Sequence, residues 1–226
     1  MTAGPTADQL RRLMASLLDA HGAQNWWPGQ SRFEIAVGAI LVQNTSWTNA
    51  ARAIARLTRR GLLQPAALLA CSEDELRDTI RPAGIYRQKA CRLRCLALWL
   101  QRQGGFSAIA AWSSERLRDA LLEVHGVGPE TADCILLYAL QRPVFIVDAY
   151  TLRILQRLGL YDADRATPDD LRASAAAAIG ADVDFYNEFH ALMVEHGKRV
   201  CRPRPLCSQC CLRATCRFAT TASPTD

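Results

Sequence analysis

Residues 121–133 have the sequence Leu-Leu-Glu-Val-His-Gly-Val-Gly-Pro-Glu-Thr-Ala-Asp, a tight turn between two segments of helical character. Before the turn, Leu117, Leu121 and Val124 recur at the spacing of one helix face. After it, a second helix is predicted from about Glu130 to Leu140. Positive φ is predicted at both glycines of the turn, since glycine adopts it without strain. The stretch predicts a helix-hairpin-helix, whose second helix can present backbone N–H groups to a phosphate; a plain connector is the alternative.

Helical signals continue on both sides of this hairpin, and no strand-like alternation exceeds a few residues. The segment 143–147 is predicted to be an extended apolar connector, and 219–226 a loose tail. The fold class predicted from the sequence is therefore all-α. Four of the other predicted helices have both bounds: 7–20, 33–42, 87–103 and 183–197. A further helix is capped by Ser46 or Thr48 and ends at Thr58. Three more are predicted from their first residues, which are the capping box of Ser72 and Glu75, Asp148, and Thr167.

Composition limits the function classes. The chain has 226 residues, half of them hydrophobic, without an apolar run near the roughly 20 residues that cross a membrane. The net charge is +5, and Lys89 and Lys198 are the only lysines, so Arg supplies nearly all of the cations. Arginine suits phosphate oxygens, which favours a polyanionic partner. An odd number of cysteines and the lack of a secretory pattern at the start predict an intracellular setting.

Four cysteines form the pattern Cys201-x5-Cys207-x2-Cys210-x5-Cys216. Four thiolates suit tetrahedral zinc or a [4Fe–4S] cluster, and spacing alone does not separate the two. Cys211 leaves open which of two adjacent cysteines is the third ligand. The loop is expected to present basic side chains to a DNA backbone, namely Arg199, Arg202, Arg204 and Arg213.

The hairpin, the stretch Pro-Val-Phe-Ile-Val-Asp-Ala-Tyr-Thr-Leu-Arg (143–153), the stretch Gly-Ala-Ile-Leu-Val-Gln-Asn-Thr-Ser-Trp (38–47) and the cysteine segment together closely resemble the endonuclease III superfamily of DNA glycosylases. The resemblance implies a monomeric base excision repair enzyme that binds double-stranded DNA containing a damaged base. It implies a six-helix domain, residues 31–142, and a second helical domain, residues 1–30 plus 143–226, with the active-site cleft between them. It also favours [4Fe–4S] over zinc, although the family usually has one more residue in the first cysteine gap.

The resemblance assigns the essential carboxylate of the family to Asp148. A carboxylate beside the deoxyribose stabilises the positive charge that develops as the glycosidic bond breaks. An Asp before a helix is also a good N-cap, and capping alone is the alternative role. Further residues are expected to contact DNA: Gly126, Val127, Gly128, Thr131, Lys198, Arg199, and Gln43, which would fill the space left by the flipped base.

The position of the nucleophile departs from the family pattern. Members that cut the strand carry a Lys two residues after the second glycine of the turn, and Glu130 occupies that position here. A carboxylate cannot form an imine, so the sequence predicts a monofunctional enzyme with water as the nucleophile. Lys89, in a helix without a motif, and Lys198 are the remaining candidates for an amine nucleophile.

Three tryptophans are the candidates for a base pocket: Trp26, Trp27 and Trp47. Their sequence contexts resemble the branch of the superfamily that removes alkylated purines such as 3-methyladenine. An N-methylated purine is cationic, and indole faces attract cations. The alternatives are a glycosylase for oxidised pyrimidines, a non-catalytic protein that binds damaged DNA, and ordinary packing roles for the tryptophans.

Overall fold

The structure is a computed structural model that describes residues 4–26 and 29–221. The chain forms two compact units. The split unit comprises Met1–Trp26 and Pro143–Asp226, and the continuous unit comprises Trp27–Arg142. All regular elements in the described ranges are helical, which confirms the predicted all-α class. Among these helices, none combines the length and the apolar character that crossing a bilayer requires.

The helices follow the predicted order, with short ones added between them. The bounds are α1 (Ala7–His21), α2 (Arg32–Leu41), α3 (Trp47–Arg59), α4 (Pro65–Ala70), α5 (Glu73–Thr79), α6 (Tyr86–Arg102), α7 (Gly105–Ile109), α8 (Ser114–Leu122), α9 (Pro129–Cys134), α10 (Ala149–Leu158), α11 (Pro168–Ile179), α12 (Val183–Arg199) and α13 (Arg217–Thr221). Short 3₁₀ turns occupy Arg81–Ala83, Cys207–Gln209 and Arg213–Thr215.

Local capping places several helix starts where the sequence predicts them. Ser46, rather than Thr48, caps α3, because its hydroxyl accepts the N–H of Asn49. Thr167 caps α11 through the N–H of Asp170, whose carboxylate in turn accepts the N–H of Thr167. These caps use residues three positions apart, so short-range sequence is enough to predict them.

The core of the continuous unit surrounds α2, which is buried along nearly its whole length. It packs against α3, α6, α9 and the helical turn after α9. The predicted helix 130–140 differs in detail: α9 ends at Cys134, and Ile135–Ala139 continue as a π-helix. Residues 131–140 are all buried: most of them are apolar and have α2 and α8 as neighbours, and the polar Thr131 and Asp133 bond to Gln43 and Arg118.

Packing in the core of the split unit fixes the position of the extended segment that precedes Asp148. α12 packs against α1 and α10. Phe145, in the extended segment, contacts the rings of Tyr186 and Phe189 at centroid distances of 6.2 and 5.4 Å. These three side chains are almost completely buried. Aromatic packing therefore anchors the connector to α12 and sets the position from which α10 begins.

The C-terminal segment is more ordered than the sequence predicts. Residues 219–221 belong to α13 and are not a loose tail; residues 222–226 lie outside the described part of the chain. The hydroxyl of Thr220 donates to the carbonyl of Cys216, and the guanidinium of Arg157 lies 4.8 Å from the centroid of the Phe218 ring. Contacts with the cysteine segment and with α10 order this short helix, and the local sequence does not show them.

Candidate active site

Asp148 is the N-cap of α10 and is buried, with 5% of its surface exposed. Its Oδ1 accepts the backbone N–H of Thr151 at 2.7 Å. Its Oδ2 lies 3.7 Å from Nε2 of His190, a buried histidine of α12. The capping role considered for Asp148 is therefore present. One oxygen is used by the cap, and the other faces an imidazole within the same unit.

The surroundings of Asp148 favour its ionised form. Burial alone would raise the pKa of this carboxyl group, because the charged form loses its hydration. The nearby imidazole of His190, followed by the N–H of Thr151, outweighs burial and lowers the pKa of Asp148 below its usual value. A carboxylate held in this way remains an anion at neutral pH.

Trp26 lies beside this pair. Its ring centroid is 5.8 Å from that of His190, with the planes tilted by 42°. The Nζ of Lys198 lies 5.6 Å from the centroid of the Trp26 ring, a cation–π contact. Of the other predicted pocket tryptophans, Trp47 is the half-buried first residue of α3, and Trp27 lies outside the described residues. Arg199, predicted to bind DNA, is exposed and paired with Glu195 at 2.9 Å.

The hairpin between α8 and α9 uses its two glycines differently. Gly126 has φ of +86°, as predicted, but Gly128 has φ of −93° and ψ of 178°. The prediction of positive φ at Gly128 is therefore wrong. Gly128 is the N-cap of α9 and precedes Pro129, and both conditions favour extended backbone.

Gln43 joins the loop after α2 to this hairpin. Its Nε2 donates to the carbonyl of Gly126 at 3.1 Å and to Oγ1 of Thr131 at 2.8 Å, and its Oε1 accepts from Arg92. Thr131 is buried, so its hydroxyl faces Gln43. The side chain of Val127, at the turn, is also buried, which leaves the backbone to contact a ligand. In this structure Gln43 supports the hairpin, and its role as a space filler in flipped DNA stays a prediction.

The two hairpin glycines offer a matched pair of substitutions. Gly126→Ala is expected to cost about 1–2 kcal/mol for left-handed backbone at a residue with a Cβ. That Cβ would also lie 2.1 Å from Cγ of Arg92, which must then move. Thermal unfolding is expected to show a midpoint several degrees lower for Gly126→Ala. Gly128→Ala should keep the wild-type midpoint, because the Cβ meets no atom within 4 Å. Equal losses in both variants would contradict this assignment.

An ion pair connects the two helices of the hairpin. Nε of Arg118, on α8, lies 2.7 Å from Oδ1 of Asp133, on α9, and a second nitrogen lies 3.4 Å from Oδ2. Both side chains are largely buried, at 12% and 4% exposure. Two parallel bonds fix the orientation of the helices more closely than one would.

The structure distinguishes the candidates for an amine nucleophile. Lys89 is 1% exposed, and its Nζ donates to the carbonyls of Leu41 and Ala83 at 2.9 and 2.7 Å. Burial, with a smaller effect from the charge of Arg92, lowers the pKa of Lys89 to about 8. Its amine is enclosed, with two hydrogen bonds to backbone carbonyls. Lys198 is exposed, and Glu130 is an exposed residue in the first turn of α9, where a negative charge complements the helix dipole.

The four predicted metal ligands line one cavity in the split unit. This cavity has about 260 Å³ of free space, part of it open to solvent, and Cys201, Cys207, Cys210 and Cys216 are among its lining residues. An NH group of Arg157 donates to Sγ of Cys201 at 3.3 Å. Burial raises the pKa of the Cys210 thiol to about 11, so its thiolate requires positive charge nearby, as a bound metal provides. The arrangement fits a four-thiolate group.

Cys211 faces a different environment. Its Sγ lies within 4.8 Å of ring nitrogens of His21 and His196. Nε2 of His21 is 3.0 Å from Nδ1 of His196, whose Nε2 is 3.6 Å from Sγ of Cys210. Burial, and then the charge of His21, lower the pKa of His196 to about 4. Of the two adjacent cysteines, only Cys210 lines the cavity.

The sequence did not indicate His21, His196 or His190, because no motif includes these histidines.

Comparison with known proteins identifies the relatives of this chain. A candidate DNA repair glycosylase of Methanocaldococcus jannaschii is 42% identical over 212 residues, which cover 92% of this chain and 96% of that protein. Thymine-DNA glycosylase of Aeropyrum pernix is 32% identical over 218 residues, covering 93% and 94%.

Among solved structures, a non-covalent endonuclease III–DNA complex matches with a TM-score of 0.78 and 23% identity, covering 96% of this chain and 97% of that one. The 3-methyladenine DNA glycosylase of H. pylori, bound to 1,N6-ethenoadenine, matches with a TM-score of 0.71 and 26% identity, covering 86% and 98%.

The fold, the hairpin and these relatives define a DNA N-glycosylase of base excision repair. The family model described as "HhH-GPD superfamily base excision DNA repair protein" matches residues 37–179. The chain belongs to the HhH-GPD superfamily.

Proposed function

We propose that this protein is a monofunctional DNA glycosylase, in which Asp148 assists the attack of water on the sugar carbon of a flipped nucleotide. The observation that carries the proposal is the state of Asp148. It is buried, tied to the N–H of Thr151 and held as an anion beside His190. A fixed negative charge of this kind stabilises the oxocarbenium character of the sugar in the transition state.

Water completes the proposed reaction. The bond between the anomeric carbon and the base nitrogen breaks, and its electron pair leaves with the base. The water oxygen bonds to the anomeric carbon, and its proton passes to the departing base or to solvent. Asp148 contributes charge throughout and does not bond to the sugar. The positions of Glu130 and of the enclosed amine of Lys89 support water as the nucleophile.

The hairpin is proposed to hold the DNA backbone. Gly126, Val127 and Gly128 offer backbone rather than side-chain contacts, and such contacts position DNA without reading sequence. Gln43 and the pair formed by Arg118 and Asp133 make the turn rigid before DNA arrives. Lys198 and Arg199 are proposed to add phosphate contacts from the split unit. We further propose that the enzyme acts as a monomer on double-stranded DNA.

The cysteine cavity is proposed to hold a [4Fe–4S] cluster on Cys201, Cys207, Cys210 and Cys216, with zinc as the alternative. Its proposed role is structural: it joins the segment after α12 to α13 and orders the basic residues around it. Four cysteines that line one cavity supply the number of thiolate ligands that either group needs.

The two adjacent cysteines allow a direct test of the ligand set. Cys210→Ser is expected to lose most of the broad visible absorption of the cluster and its stoichiometric iron, because one of four thiolates is removed. Cys211→Ser should retain both, since Cys211 does not line the cavity. Iron analysis and absorption spectra after anaerobic purification check this. Loss of iron in Cys211→Ser alone would show that Cys211, and not Cys210, is the third ligand. Stoichiometric zinc in a colourless protein would show that the site binds zinc and not a [4Fe–4S] cluster.

Two substrate classes are proposed, in this order. Alkylated purines follow from the sequence contexts of the tryptophans, and the H. pylori relative bound to 1,N6-ethenoadenine supports them. Mismatched thymine is the second candidate, supported by the thymine-DNA glycosylase of A. pernix. One contact also favours a neutral base: Lys198 already places a positive charge on Trp26, which weakens that ring as a site for a cationic purine.

A panel of duplexes tests the proposed function. The panel contains 1,N6-ethenoadenine, 3-methyladenine, a G·T mismatch and thymine glycol in matched sequences, with free base and strand scission scored separately. Release of a base without scission is the expected result, with the neutral alkylated purine 1,N6-ethenoadenine released fastest. Preference for the mismatch would select the second substrate, and preference for thymine glycol an oxidised-pyrimidine enzyme. Tight binding without release from any duplex would indicate a damage-binding protein.

A further inference from the structure

We propose that His190 is a positioning residue for Asp148: its imidazole holds the second carboxylate oxygen and stabilises the anion. This inference rests on the proposed role of Asp148 in base release. His190 lies on α12, 42 positions after Asp148, outside every motif of the sequence.

The geometry leaves one oxygen of Asp148 for His190. The cap bond from Thr151 fixes Oδ1, but rotation of the carboxyl group about that contact would still move Oδ2. Nε2 of His190 lies 3.7 Å from Oδ2, and both side chains are about 5% exposed. This distance is longer than an ordinary hydrogen bond, but it is short enough for the N–H of the imidazole to act electrostatically on the carboxylate in a buried site. Two anchors, from α10 and α12, therefore define the position of the carboxylate.

His190 is the side chain outside α10 that lowers the pKa of Asp148. Burial raises the pKa of Asp148, and the effect of the nearby imidazole of His190 comes next in size and lowers it. Two other ionisable groups of α12, Glu188 and Glu195, have partners elsewhere. Glu188 accepts the N–H of Gln24, and Glu195 pairs with Arg199.

The elements packed around α10 and α12 contribute other contacts. His196 of α12 contacts His21 of α1 and Cys210. Arg153 of α10 donates to the carbonyls of Gly197 and Cys201. The guanidinium of Arg11, also on α1, lies over the Phe185 ring at 5.7 Å. Arg217 of α13 lies near Gly159, at the far end of α10.

Trp26 supports the histidine from another side. The centroid of its ring lies 5.8 Å from that of the His190 imidazole, and Nζ of Lys198 lies 5.6 Å from the same Trp26 centroid. The bulky ring limits the rotation of His190 and helps to exclude water from the pair. In this arrangement the aromatic residue predicted to stack on a base also supports the catalytic carboxylate.

The pH dependence of base release separates positioning from a merely structural role. Asp148 acts as an anion, so activity is lost as pH falls through its pKa in the folded protein. Because His190 lowers that pKa, its removal must move the acid limb to higher pH. His190→Phe is expected to shift the limb to higher pH. Because the carboxylate also loses one of its two anchors, single-turnover release at pH 7 is expected to fall about tenfold or more. His190→Gln keeps an N–H donor, so its acid limb and its rate at pH 7 should both lie between those of His190→Phe and the wild type.

The controls distinguish the possible failures. DNA affinity and the thermal midpoint are measured for each variant, and His190→Gln keeps the test available if His190→Phe does not fold. A lower rate with an unmoved acid limb, or a wild-type profile in both variants, would overturn the inference while Asp148 keeps its role. Full activity in Asp148→Asn would overturn the role of Asp148, and the inference would fail with it.

Discussion

Asp148→Asn is expected to reduce base release on the order of 10²–10³-fold or more, the effect of removing one preorganised charge-stabilising group. Asparagine has almost the same shape and is an equally good N-cap, so the bond to the N–H of Thr151 and the start of α10 should persist. What disappears is the negative charge beside the sugar. The affinity for DNA containing a lesion should remain near that of the wild type, because phosphate contacts do not involve Asp148.

A second aspartate provides the matched control. Asp182 caps α12, and its Oδ1 accepts the N–H of Phe185 at 2.9 Å, so Asp182→Asn makes the same change at a cap without a proposed catalytic role. Single-turnover release and DNA affinity are measured for both variants. Asp182→Asn should behave as the wild type. Retained turnover in Asp148→Asn would show that Asp148 is only a cap, and the proposed mechanism would be wrong.

Glu130→Lys is expected to create a covalent imine-forming activity that the proposed monofunctional mechanism does not include. The amine can attack the anomeric carbon as the base leaves, and ring opening with loss of a proton forms an imine. Borohydride reduces this imine to a stable amine, so a covalent protein–DNA adduct should change from background to a clear product. The position is exposed and lies in the first turn of α9, where a lysine should fit at a cost of about 1 kcal/mol or less in helix-dipole energy.

Glu130→Arg is the matched control for this prediction. It introduces the same charge without a nucleophilic amine, so DNA affinity can rise while no adduct forms. Adduct yield after borohydride treatment, on DNA with an abasic site and on DNA with an intact lesion, is the measurement. A wild-type protein that forms adduct in good yield would contradict the monofunctional assignment and would require another amine, with Lys198 as the exposed candidate.

The cap residues show how far short-range sequence leads. Ser46, Thr167 and Asp148 begin helices as predicted, because each cap bond joins residues three positions apart. The wrong prediction at Gly128 also concerns local structure: the left-handed residue of the turn is Gly126, and the extended cap before Pro129 is Gly128, two positions later. A Gly-x-Gly pattern alone does not show which glycine takes which role.

The helical fold, the hairpin and the run of cysteines can be predicted from the sequence, because each belongs to a pattern of closely spaced residues. The resemblance of these stretches to a known superfamily implies the class of protein and the role of Asp148. The partners of these residues depend on the tertiary structure. Gln43 meets the hairpin across 83 positions, and α12 brings His190 to Asp148. The choice of Cys210 over Cys211 at the cavity likewise depends on which side chain the packed loop turns inward. Such contacts form when helices dock, and no spacing along the chain encodes them.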